Sequence, residues 1–115
     1  MMCKAYFGAL SEERKANWDN KDSDPYKVLN SPIELYGKGH ILLSSGSDYF
    51  HDRISIDWGS DAWKCTADEI IEFLEDHKET LSWLIEDDIR LIKEIKEYVK
   101  KRGNIVYGVV FIEEP

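Results

Sequence analysis

Residues 66–112 read TADEIIEFLEDHKETLSWLIEDDIRLIKEIKEYVKKRGNIVYGVVFI, and the fold class turns on how they divide. Thr66-Ala67-Asp68-Glu69 has the form of a capping box. The Thr66 hydroxyl accepts from the amide three residues on, and Glu69 reaches back to the cap amide. Ile70, Ile71 and Leu74 then share one helix face. A second run, Leu81, Leu84, Ile85, Ile89, Ile92, Ile95 and Val99, repeats at three and four, the spacing of an amphipathic helix. Lys100-Lys101-Arg102-Gly103 supplies terminal cations and a C′ glycine, the expected stop. One helix over 67–102 would be about 54 Å long, which is long for this chain, whereas 80–102 alone would span about 34 Å. The polar interval His77-Lys78-Glu79 is where a bend is tolerable. Residues 66–102 therefore read as one long kinked helix or two consecutive helices.

The stretch closes on Ile105-Val106-Tyr107-Gly108-Val109-Val110-Phe111-Ile112, apolar on both faces. A strand of that kind belongs inside a sheet and is covered from both sides. Residues 104–112 are thus expected as an internal strand.

Upstream, residues 3–9 predict a first strand, with Cys3, Ala5 and Phe7 on one face and Lys4 and Tyr6 on the other. Ser11 is placed to cap a short helix, with Glu12 and Glu13 in its first turn. Residues 19–25 read as loop. Ile33-Glu34-Leu35-Tyr36 alternates like a strand, Gly37-Lys38-Gly39 suits a hairpin, and His40-Ile41-Leu42-Leu43 would be the returning strand. Residues 44–48 read as loop. Residues 53–58 give the cleanest strand signal, with Ile54, Ile56 and Trp58 on one face, and Gly59-Ser60-Asp61 ends it.

The expected fold is α+β, one domain over 1–115. A four- or five-stranded, mainly antiparallel sheet packs on the helical region 66–102. One helical layer covers one sheet face, so the other needs the N-terminal segment, the 44–63 loops or a second copy.

The chain has 115 residues, of which 43% are hydrophobic, 12% aromatic and 33% charged, a globular balance. Fifteen Lys and Arg stand against 23 Asp and Glu, for a net charge of −8. That sign disfavours phosphate backbones and anionic lipid surfaces, since both are bound through released counterions or basic side chains. No direct nucleic-acid binding and no membrane partner are expected. No run approaches the length of a spanning helix, and the apolar part of residues 1–10 is too short for a signal-peptide core. The reading is a cytoplasmic protein with Cys3 and Cys65 as reduced thiols.

His40, His51, His77, Cys3 and Cys65 are scattered, with none of the tight pairs of a zinc site, so neither metal nor cofactor is expected. Residues 19–24 lack the glycine and terminal glutamate of a calcium loop, and Pro25 and Tyr26 break its pattern. Cys65 precedes a helix start, where the dipole lowers a thiol pKa. The competing reading makes it a small buried hydrophobe, and no catalytic residue is assigned. The remaining acid/base cluster is His51 with Asp48, Asp52 and Asp57.

Charge patterning is the sharper signal. Residues 68–88 carry nine acids against one base, and residues 89–102 six bases against two acids. Solvated helix faces account for this. A negative patch offered to a basic protein also does, because such patches speed encounter and exclude wrong partners. Asp68, Glu69, Glu72, Glu75, Asp76 and Glu79 would supply the attraction. Trp63, Trp58, Tyr49 and Phe50, in or beside glycine- and serine-containing loops, would supply the buried contact. The first expectation is an acidic interaction protein that sequesters a basic protein partner, an inhibitor of the immunity or antitoxin kind or a phage anti-defence inhibitor. The alternatives are a small enzyme built around His51, and a homo-oligomeric structural or assembly subunit, such as a homodimer, that buries its C-terminal strand and sheet face.

Overall fold

The computed structural model describes residues 2–19, 24–56, 59–77 and 85–114. In chain order these form β1 (Met2–Leu10), α1 (Glu12–Ala16), β2 (Leu29–Glu34), α2 (Gly39–Ser45), β3 (His51–Ile56), β4 (Ser60–Cys65), α3 (Ala67–Asp76), α4 (Ile85–Arg102) and β5 (Tyr107–Glu114). Short 3-10 helices at Pro25–Lys27 and Gly46–Asp48 join them. The five strands make one sheet in the order β2-β1-β5-β4-β3, every neighbouring pair antiparallel. The fold is α+β, and the C-terminal strand lies at its centre.

That central position follows from the composition of β5. Tyr107, Val109 and Phe111 face the helices, and Val110 and Ile112 face the other side. From Tyr107 to Ile112 every residue is buried. On the helical side α2, α3 and α4 contribute Leu42, Phe73, Leu74, Leu91 and Ile95 to one core. The opposite face is closed by the chain segment after β1. Val28 packs there with Leu10, Leu29, Ile56 and Ala62, and Trp18 covers the rim. The Arg14 guanidinium holds the Trp18 carbonyl at 2.7 Å, and the Trp18 indole donates to the Asp52 carbonyl at 2.8 Å. The strand that the assembly reading left for a second copy is thus covered on both faces by its own chain.

Several expectations are met and several corrected. Ser11 caps α1, with its hydroxyl accepting from the Arg14 amide at 3.3 Å. The capping box at Thr66–Glu69 is formed on both sides. Among the described residues of 66–102 stand α3, ending at Asp76, and α4, from Ile85. The strand at 33–36 is displaced to Leu29–Glu34. The segment 40–43 is helix α2, not a returning strand. Alternation would have sent Ile41 and Leu42 to opposite faces, whereas a helical turn buries both in one core. Gly39 lets α2 start against β1, because a Cβ there would lie 3.2 Å from the Cys3 backbone. Residues 60–65 are strand β4 where the sequence reading ended a strand. Gly59, at φ 73, turns the chain into it. Flanked by β3 and β5 and buried along almost its whole length, β4 carries no alternation to detect.

The buried stripe of α4 also differs in phase. Leu91, Ile95 and Tyr98 are buried, Ile92 and Val99 sit at its edge, and Ile89 is 65% exposed. Tyr98 explains the rotation. Its hydroxyl accepts from the Ala9 amide at 2.8 Å and donates to the Asn30 carbonyl at 2.6 Å. Ala9 and Asn30 are register partners of β1 and β2, at a bulge where Ser31 has φ 45. The phenol is therefore inserted between an amide and a carbonyl that would otherwise face each other. Gly8 makes room for it, since a Cβ there would meet the Tyr98 hydroxyl at 3.1 Å and the Pro32 Cα at 3.2 Å.

Removing this hydroxyl strands a buried amide and a partly buried carbonyl. Tyr98→Phe is expected to lower unfolding free energy by about 1–3 kcal/mol, measured by urea denaturation, with far-UV circular dichroism unchanged. Gly8→Ala displaces the same hydroxyl, so the double variant loses less than the sum of the singles.

Candidate functional site

The site begins with the turn before β3. Gly46 lies against the core, where a Cβ would sit 3.4 Å from the Trp63 ring. The Tyr49 and Phe50 amides both donate to the Gly46 carbonyl, at 3.1 and 2.9 Å. This tight turn points Phe50 inward, where its ring centroid lies 5.5 Å from Phe73 and 6.3 Å from Trp63. Tyr49 stays at the rim, edge-on to Phe73 and His77.

Helix α3 presents two unlike faces. Ile70, Phe73 and Leu74 are buried, while Asp68, Glu72, Glu75 and Asp76 are exposed. The four acids recur at i, i+4, i+7 and i+8, so they form one outward stripe. The Tyr49 hydroxyl donates to Asp76 Oδ2 at 2.8 Å. That bond, burial, and the charges of Asp76, Glu72 and Asp48 push the phenol pKa up to about 12. The turn and the helix thus concentrate negative charge on one surface.

Glu69 is set apart from the stripe. One carboxylate oxygen accepts from the Thr66 amide at 2.7 Å, while the Thr66 hydroxyl accepts from the Glu69 amide at 3.2 Å. The other oxygen meets His51 Nε2 at the start of β3. Burial alone would raise this carboxyl, but hydrogen bonds from Thr66 and His51 outweigh it and hold the pKa below the ordinary value. His51 therefore ties β3 to the head of α3.

The far end of α3 has an unusual cap. Its last turn holds no basic residue, and Glu75 and Asp76 oppose the dipole there. Lys38, fully buried just before α2, extends its ammonium to the His77 carbonyl at 3.1 Å. A cation from elsewhere in the chain thus stands where the helix's own sequence places acids.

Of the residues expected to meet a partner, Asp68, Glu72, Glu75 and Asp76 share the exposed stripe. Glu69 is partly buried and engaged, and Tyr49 is at the rim. Trp63 and Phe50 are corrected: at 1% and 4% exposure they are core residues of the helical side and present nothing to a partner. Trp63 lies in β4 and not in a loop, which is why it turns inward. Glu79 and Trp58 lie outside the described residues, as does Asp57 of the acid/base cluster.

Among the described residues, His51 meets Glu69 and neither Asp48 nor Asp52. Asp52 takes a left-handed φ of 55 at a bulge and directs its carboxylate to Lys64, 3.6 Å away. The cavity beside it, about 420 Å3, is lined by Trp18, Asp19, Asp52, Arg53, Ile54 and Lys64. Arg53 pairs with Asp61 at 3.2 Å, and Ser55 donates to the same oxygen at 3.3 Å. Asp61 is buried, and the sequence reading had it only as the end of a strand. The Cys65 thiol is also buried. Desolvation, then the Glu69 charge, drives its pKa far up, so it packs as a hydrophobe and is no thiolate nucleophile.

Asp48, which the sequence analysis places in the acid/base cluster, stands instead beside the acidic face. Its place beside Tyr49 and the α3 stripe comes from the turn at Gly46, and the spacing of Gly46 and Phe50 was the available signal. Among the described residues, no group of three or more His, Cys, Asp or Glu is arranged to hold a metal ion. Nor is any described helix long and apolar enough to cross a membrane. Comparison with protein families, with curated proteins and with solved structures finds no match to this chain.

Two measurements check the electrostatics. A carboxylate with a lowered folded-state pKa stabilises the fold above its unfolded pKa, and that contribution is lost as pH falls through the folded value. Glu69→Gln is therefore expected to cost most above the ordinary carboxylate pKa of about 4.3 and least in stronger acid, below the lowered folded value. Urea midpoints of both proteins across that range should converge as the pH drops. In an ultraviolet phenolate titration, with Tyr49→Phe identifying the signal, Asp76→Asn should bring Tyr49 down from about 12 toward the ordinary value of about 10.

Proposed function

We propose that this protein binds and sequesters a basic protein partner through the outer face of α3 and the rim of the turn before β3. The observation that carries this reading is the outward stripe of Asp68, Glu72, Glu75 and Asp76, which the Tyr49 hydroxyl joins by donating to Asp76 Oδ2 at 2.8 Å, with Asp48 exposed on the same turn as Tyr49. Carboxylates gathered around an aromatic rim suit a cationic partner. Long-range attraction raises the encounter rate, and like-charged partners are turned away. Tyr49 supplies an amphipathic contact of the kind enriched at binding hot spots. Asp68, Glu72 and Glu75 supply charge without holding the fold together, since they lie exposed on the helix. An inhibitor of the immunity, antitoxin or anti-defence kind is the biological form that fits.

The enzymatic reading is weaker. His51 approaches Glu69, but that carboxylate already completes a helix cap, and the His51 side chain is 64% exposed. A proton-transfer pair works best where water is held off.

The test is capture from native host lysate on the tagged protein at low and high salt, with nuclease added, followed by affinity measurement with the purified partner. The expected result is a basic protein retained at low salt and reduced at high salt. Glu72→Lys with Glu75→Lys should weaken it at least about tenfold, or 1.4 kcal/mol, with circular dichroism unchanged. Affinity indifferent to both salt and these charges would overturn the proposal.

A further inference from the structure

We draw no further inference here: the strongest candidate, the open cavity of about 420 Å3 between Trp18 and the β3–β4 hairpin, has both of its cations answered from within the chain, Lys64 by Asp52 and Arg53 by Asp61, and nothing in the structure shows what would occupy it.

Discussion

The insertion of the Tyr98 hydroxyl between the Ala9 amide and the Asn30 carbonyl ties α4 to the β1–β2 seam. It sets the rotation of α4, because Tyr98 must face the β1–β2 seam, and Leu91 and Ile95 follow it inward on the same stripe. It keeps β1 and β2 paired across a bulge, where Pro32 offers no amide of its own. The phenol ring in turn packs edge-on against Phe7 and Tyr107, and the Arg102 guanidinium sits 3.5 Å over its face. One side chain thus joins the last turns of α4 to three strands. Each hydrogen bond contributes only about 1 kcal/mol net, but buried backbone groups left unmet would cost more. The geometry is specified by that asymmetry.

With α4 placed, α3 has one way to lie. Its Phe73 meets Phe50 at the edge of the Trp63 cluster, and its N-terminus is closed by the Thr66–Glu69 box. The acids on its outer face are unfavourable near the C-terminus, where the dipole is negative. The buried Lys38 ammonium on the His77 carbonyl offsets this locally. Fold stability by itself does not call for such an arrangement. A lysine or arginine in the last turn of α3 would serve the helix better and would discharge the surface. Keeping the acids outside and the compensating cation inside preserves an electronegative face.

How much of this could be read from the sequence depends on how local each signal is. The capping box, the Ser11 cap and the doubly apolar β5 were legible because each rests on a few consecutive residues. Strand β4 was not. It is six residues long and buried on both faces, so Trp63 and Asp61 fall where alternation gives no guide. The α2 segment failed for the opposite reason: four residues with three apolar positions fit a strand or a helix turn equally, and only the shared core decides. The phase of α4 was missed because Tyr98 was not counted among the apolar residues, although its ring is buried and its hydroxyl is the reason. In the site, the acidic stripe was legible as spacing, whereas its conjunction with Asp48 and Tyr49 required the turn at Gly46 to bring a separate element alongside.

The second sheet face bears on function through what it removes. A doubly apolar β5 raised the need for a cover, and a second copy of the chain would have met it. Instead Leu10, Val28 and Leu29 close that face, with Trp18 pinned at one end by the Arg14 guanidinium and at the other by the Asp52 carbonyl. The cover is tied to β3 by the indole hydrogen bond and by packing against Ile54 and Ile56. That is enough, because the residues beneath it belong to paired strands whose backbone groups are already satisfied. The central strand of the sheet is therefore sealed by its own chain.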